Sequence, residues 1–379
     1  MNILFLTAWY PVSNTPHKGI FIQEHAKAIA AQGHNVCVIA LDVSAGKSVY
    51  TESASRYRDE YGLDTHVISV HSRWHKKLYA LYPLLERIVT RYVLKHITPS
   101  FNPDIVHSNV LYPAALLGDT LSTHFKVPHI ITEHWSKSTH FLNTHPYRSR
   151  GKLAYTNADA ITFVSDFLKK EVSPYLDPVT TVKVVPNIVD DQTFMYCAKS
   201  SASAVRFVAA ATWTPPKRPD LIVHALQRIA AQSAKPIELH MFGEGILLDN
   251  LVSEEPGANF CLIRHGFRSK QEIARQLHES HYMLHASEIE TFSIVVAEAL
   301  CTGTPVIASK RGALPELVNE LNGILCDNTA EAWASAIDEA LGRNFDHLAI
   351  SGQVRDKCSP KAIGAAFSAL YTSVLSPTT

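Results

Sequence analysis

The sequence predicts an α/β protein made of two Rossmann-like, doubly wound domains, and three observations carry that prediction. At 379 residues, the chain exceeds the length at which one hydrophobic core keeps growing, so two domains are expected. Short apolar runs of strand character alternate with segments of helical period through both halves, the order that builds parallel sheets covered on both faces. Between Pro186 and Ser203 the alternation lapses into a polar stretch, Ser-rich from Cys197 to Ser203, and that shift marks a linker. The expected domains are residues 1–190 and 204–358, with the segment 360–379 packing back on the first.

Each element has its own signal. Ile3-Leu4-Phe5-Leu6 reads as a buried strand rather than a leader, since the apolar run is short, has no basic start and ends at Trp9-Tyr10-Pro11. Ile22, Ala26, Ile29 and Ala30 then repeat at helical spacing, and Gly33 stops the helix. Val36 to Leu41 completes a strand, helix, strand crossover. The rhythm continues through Asp104 to His107, His129 to Thr132, Ala160 to Phe163 and Lys183 to Val185. After the linker, Phe207 to Ala211 is a strand, Pro219 suits a first helical turn, and Leu221, Ile222, Ala225, Leu226 and Ile229 line one helix face. Further strands are expected at Ile237 to Phe242, Tyr282 to His285, Pro305 to Ala308 and Gly323 to Cys326, and a terminal helix at Pro360 to Val374.

Composition narrows the functions. Lys plus Arg and Asp plus Glu balance at 35 each, so no global basic field exists for non-specific nucleic-acid binding, and an anionic ligand must meet a local site. The six cysteines are scattered without close pairs, which fits a reducing cytoplasm better than a disulfide framework or a zinc cluster. No run of about 18 apolar residues occurs, so membrane contact would be peripheral. The stretch from Arg73-Trp74 to Leu94-Lys95 interleaves basic and aromatic residues with apolar ones. It reads as a core-facing amphipathic helix with a basic outer face, or as a surface for membrane or lipid acceptor.

The densest chemical signal is Ser287-Glu288-Ile289-Glu290-Thr291-Phe292-Ser293-Ile294-Val295-Val296-Ala297-Glu298, just after the strand ending at His285. A helix beginning near Ser293 would aim its unbonded N–H groups and positive dipole end at an anion such as a diphosphate. Glu298 would lie about 7.5 Å further along that helix, within reach of ribose hydroxyls, and Glu290 would face a sugar from the loop before it. Two solvated glutamates on a helix face are the plain alternative. Placement at the carboxyl end of a parallel strand, where open α/β sheets bind ligands, weighs against it.

Taken together, this run resembles the signature of the family 4 retaining glycosyltransferases, whose two-Rossmann architecture, with domains facing across a cleft, is called the GT-B fold. The resemblance spans nearly the whole chain. Gly19, in Pro16-His17-Lys18-Gly19, matches a glycine that brings backbone close to donor phosphate or acceptor, and His134, in Thr132-Glu133-His134, matches a histidine facing the donor sugar. Val185-Pro186-Asn187-Ile188-Val189-Asp190 is similar to the interdomain segment, and Gly243-Glu244-Gly245 to a Gly-acid-Gly turn. His265-Gly266-Phe267 resembles the loop that holds the base through backbone, and Lys217 aligns with a lysine on the diphosphate. Arg311-Gly312-Ala313-Leu314-Pro315-Glu316 resembles a loop bordering the donor pocket, where Glu316 reads as a first-turn acid. The chain departs from the pattern at Ala211-Thr212, where the family commonly has Gly-Arg, and Arg218 is the candidate to replace that cation.

The resemblance implies transfer of a sugar, with retention, from a nucleoside-diphosphate sugar to a glycan or lipid-linked acceptor in surface polysaccharide or glycolipid assembly. Glu290 and His134 would act on the sugar. Lys217, Arg218, Glu298, Gly19, Gly266 and the segment Thr291, Phe292, Ser293 and Ile294 would bind the donor. No metal is expected: no acidic DxD triplet occurs, and His134, His140 and His145 are unevenly spaced for ligands. Two other readings stay open, a nucleotide-sugar epimerase of the same fold and a non-catalytic sugar-nucleotide-binding assembly protein. Donor base, sugar, acceptor and oligomeric state are not written in the sequence.

Overall fold

The computed structural model describes the chain except for residues 60, 75–81, 179, 200–202, 250, 252–258 and 377–379. It divides into two compact units, Met1–Ile188 with Pro360–Thr379, and Val189–Ser359.

The first unit holds eight strands: β1 (Asn2–Thr7), β2 (Asn35–Ala45), β3 (Thr51–Arg58), β4 (Asp64–Ser72), β5 (Ile105–Asn109), β6 (His129–Glu133), β7 (Ala160–Phe163) and β8 (Thr181–Val184). Their order is β3-β4-β2-β1-β5-β6-β7-β8, parallel throughout except for the antiparallel β3 and β4 pair. Every residue of β5, β6 and β7 is buried. Such strands are covered on both faces, which is why they read in sequence as continuous apolar runs. The strand order reverses direction at β1 and β5, the switch point at whose carboxyl edge doubly wound sheets bind ligands. β3 and β4 lie outside the expected strands: β3 is an edge strand exposed along its whole length, so no buried face patterns its residues.

Helix α1 (Ile20–Ala30) buries Ile22, His25, Ala26, Ala28 and Ile29. Helix α2 (Tyr82–Tyr92) buries Tyr82, Leu85, Ile88 and Val89, so the apolar side of the basic-aromatic stretch faces its own unit's core; residues 75–81 of that stretch lie outside the described residues. No described helix is long and apolar enough to cross a membrane.

The second unit has a six-stranded, wholly parallel sheet: β9 (Val205–Ala210), β10 (Ile237–Phe242), β11 (Phe260–Gly266), β12 (Tyr282–His285), β13 (Val306–Ser309) and β14 (Gly323–Cys326), ordered β11-β10-β9-β12-β13-β14. β11 is a further strand beyond those expected, and Gly266 ends it. Its helices include α3 (Pro219–Ala230), with Pro219 at the first turn, α4 (Lys270–Glu279), started by a reciprocal Ser269 and Glu272 capping box, and α5 (Ile294–Cys301). The core is one cluster built around Phe207, Trp213, Leu239, Leu284 and Trp333. The last helix, α6 (Pro360–Leu375), belongs to the first unit. It packs Ile363, Phe367, Leu370 and Tyr371 into that unit's core beside α1.

Candidate functional site

In the second unit, β9 and β12 are neighbours at the switch point of the sheet, and the loops leaving their carboxyl ends are laced together. The Arg218 N–H donates to Ala286 O at 3.0 Å, and the Glu288 N–H donates to Pro216 O at 3.0 Å. This lacing brings Lys217 against Glu290, residues 73 apart in sequence, as an ion pair. His285, the last residue of β12, donates from Nε2 to Glu290 Oε1 at 2.8 Å, and Ser293 Oγ lies 3.2 Å from the same nitrogen.

The Glu290 backbone is fixed as well. The Ala313 N–H donates to Glu290 O at 2.9 Å. Gly312 adopts φ +55°, and a Cβ there would stand 2.3 Å from Glu290 O. Only glycine lets that loop close on Glu290. Gly312→Ala is therefore expected to push Glu290 out of place, destabilising the protein by about 1–3 kcal/mol and lowering turnover more than donor affinity. Thermal melts and steady-state kinetics would check this.

Burial acts to raise the Glu290 carboxyl. The His285 hydrogen bond, with the charges of His285 and Lys217, outweighs burial and brings it down to about 2. Glu290 thus stays ionised at neutral pH. His285 is held below its ordinary value by burial first and then by Lys217, while Glu290 acts to raise it.

Helix α5 starts after Ser293, whose φ of 77° is left-handed. This unusual backbone for a non-glycine residue turns the chain sharply from Thr291-Phe292 into the helix, leaving the first N–H groups of α5 without helical partners. One turn on, Glu298 is buried. Burial raises it to about 7, with Lys270 lowering it and Asp190 raising it further. Gly266, with φ 67°, joins this edge: the Gly243 N–H donates to Gly266 O at 2.8 Å.

Arg218 stands apart from the Lys217 cluster. Its guanidinium pairs with Asp220 at 2.6 Å and Glu288 at 3.0 Å. Its charge is thus matched by two carboxylates, one of them only two residues along.

In the first unit, Gly19 caps α1 with φ +70°, and a Cβ there would stand 2.1 Å from Trp9 O. A close backbone crossing by itself accounts for this glycine. His134 leaves β6 buried, with Nε2 3.3 Å from Asn109 Oδ1 and no hydrogen-bond partner for Nδ1. Burial, then His25 and His107, hold it well below its ordinary pKa, so it is a neutral imidazole. His285 lies outside the residues expected for the site; the one signal for it in the sequence is its place as the last residue of a parallel strand.

One side-chain group among the described residues has metal-ligand character: Cys37, Asp64 and His66, on β2 and β4. Asp64 already takes a bidentate pair of bonds from Arg56 at 2.8 and 2.7 Å, and His66 Nδ1 meets Tyr92 Oη at 3.0 Å. These residues read as a satisfied ion-pair network.

Two Rossmann-like units, the second with a lysine–glutamate–histidine cluster beside a helix N-terminus at the carboxyl edge of its sheet, are the architecture of the GT-B glycosyltransferases. The chain belongs to this family: residues 19–193 match the model described as Glycosyltransferase Family 4, and residues 203–343 that described as Glycosyl transferases group 1. It is 27% identical to an uncharacterized glycosyltransferase of Methanocaldococcus jannaschii over 62% of this chain and 64% of that protein, slightly under two thirds of the relative's length. Its fold is similar to that of sucrose-phosphate synthase from Thermosynechococcus elongatus, with TM-score 0.73 and 18% identity over 98% of both chains. It is also similar to Anabaena HepE in complex with UDP, with TM-score 0.72 and 17% identity over 98% of this chain and 100% of that one.

Proposed function

We propose that this protein transfers a sugar, with retention at the anomeric carbon, from a nucleoside-diphosphate sugar to a glycan or lipid-linked acceptor, and that no metal takes part. The observation that carries this reading is the Lys217, Glu290 and His285 cluster at the end of β12, one helical turn and a short loop from the buried carboxyl of Glu298. In it, Lys217 and the first N–H groups of α5 take the diphosphate, whose developing charge they neutralise as it departs. Glu290 orients the sugar and Glu298 accepts from the ribose hydroxyls, while His134 is the first unit's own candidate for the sugar. A lysine and helix N–H groups supply the positive potential that a metal provides elsewhere. The solved relative bound to UDP supports a uridine donor as the first to try.

Thermal-shift titration with UDP-, GDP-, ADP- and dTDP-sugars tests the reading, because a ligand that binds only the folded state adds about 2.7 kcal/mol at a hundred times its Kd. One donor is expected to stabilise selectively, and its product to keep the donor's anomeric configuration by NMR, with EDTA present. Inverted product or EDTA-sensitive transfer would overturn those parts of the proposal, and stabilisation by no donor would overturn the whole. Thr212, standing where the family has a cation, favours one second reading, a non-catalytic nucleotide-sugar binder. Selective stabilisation without turnover across an acceptor panel would establish it.

A further inference from the structure

Glu133, the last residue of β6, is fully buried, and its carboxylate collects donors from three separate segments. Oε1 accepts from the backbone N–H of His134 at 2.9 Å and of Trp135 at 2.8 Å. Oε2 accepts from the Leu111 N–H at 3.0 Å and from Tyr155 Oη at 2.9 Å. Four donors on two oxygens is the arrangement an ionised carboxylate satisfies and a neutral amide does not, since an amide must turn its own NH2 toward one of them. Burial raises the carboxyl, and these donors oppose that rise.

Two of the segments so joined are the loops after β5 and β6 at the carboxyl edge of the sheet, and the third is the helix Arg148–Asn157, which carries Tyr155. The first follows β5 through Val110, whose φ of 71° is a genuine outlier for a β-branched residue. Such a conformation persists where its surroundings over-determine it. Here the Val110 N–H donates to Thr132 O at 2.8 Å, and the next N–H, that of Leu111, goes to Glu133. The second loop carries His134 and Trp135, and it is braced again by Ser138 Oγ donating to Trp135 O at 2.8 Å. The His134 ring itself lies against Phe21 at 5.1 Å and His25 at 5.4 Å, and its Nε2 stands 3.3 Å from Asn109 Oδ1, so its backbone position is what the clamp adds.

We propose that Glu133 is a positioning residue for transfer: its buried carboxylate clamps the loops after β5 and β6 together and thereby fixes His134 at the sugar. The inference rests on the assignment of His134 to the sugar site made above.

The test uses the full-length protein with Glu133→Gln and Tyr155→Phe, both close in volume to the originals. Amide hydrogen exchange reads the backbone N–H groups of Leu111, His134 and Trp135, and UDP-glucose, GDP-mannose and ADP-glucose serve as donor probes. Glu133→Gln is expected to speed exchange at those three amides. It should also lower kcat by about a hundredfold, as a misplacement of about 1 Å can, with donor Kd held within about twofold. Tyr155→Phe removes one donor of four, folds more readily, and should show the same pattern in smaller measure. Faster exchange with unchanged kcat in both variants would leave Glu133 a purely structural residue and overturn the proposal. Unchanged exchange would overturn the clamp itself. If the wild-type protein turns over no donor, the transferase reading fails, and exchange alone still decides whether the clamp exists.

Discussion

A Glu298→Gln protein is expected to be more stable than the wild type above neutral pH while binding its nucleotide sugar more weakly. The Glu298 carboxyl is buried on α5 and raised by that burial to about 7 from an ordinary value of 4.5. A raised folded-state pKa means that the folded protein holds a proton the unfolded chain has released. The associated stability is complete below about pH 4.5 and is lost as pH rises through about 7. The gap corresponds to about 3 kcal/mol. Gln carries no charge to desolvate, so the variant keeps that stability, and denaturant melts of the two proteins should coincide near pH 5 and separate near pH 8. Donor affinity should move the opposite way. The ribose hydroxyls need an anionic acceptor, so wild-type affinity rises with pH through about 7, whereas the variant binds with a flat profile, weaker by about 1.5–3 kcal/mol. Melts that coincide at pH 8 would show that Glu298 does not hold a costly buried charge, and equal donor affinity would remove it from the ribose.

The same residue shows what the sequence could reveal. Glu290 and Glu298 were legible because a strand, a turn and a helix start are local patterns, and the carboxyl end of a parallel strand is a known place for ligands. The central strands were legible for a related reason: β5, β6 and β7 are buried on both faces and therefore apolar throughout. β3 was not legible, because an edge strand exposed on both faces imposes no period on Thr51 to Arg58. His285 and Glu133 escaped for another reason. Each is the final residue of a buried strand, where a polar side chain reads as a core exception, and its partners are set by how the following loops fold back. The Lys217 and Glu290 pairing depends on lacing between loops 73 residues apart, which no local spacing encodes. Arg218 faces a competition for its charge: Asp220 lies two residues away in sequence, and Glu288 reaches it only across the lacing.

That competition makes the sharpest contrast available by mutation. Lys217→Met is expected to lower kcat by about a hundred- to thousandfold, the range seen when one preorganised group that stabilises developing charge is removed. Arg218→Ala should change it by less than about threefold, because an exposed ion pair contributes at most about 1 kcal/mol. Loss of Lys217 also acts through Glu290. Lys217 is among the groups that bring that carboxyl down to about 2, so its removal lets the value rise toward the ordinary 4.5, and the acid limb of the pH–rate profile moves to higher pH. The stability linked to Glu290 has the opposite sign to that of Glu298. Its depressed pKa contributes stability that is present above about 4.5 and lost as pH falls toward 2, so Lys217→Met should be less stable than the wild type above about pH 4.5, with the two converging as pH falls toward 2. Steady-state kinetics from pH 4 to 9, together with acid denaturation, read both effects. Should Arg218→Ala cost as much as Lys217→Met, the guanidinium must leave Asp220 and Glu288 when donor binds, and the cation missing at Thr212 would then be supplied by rearrangement rather than by Lys217 alone.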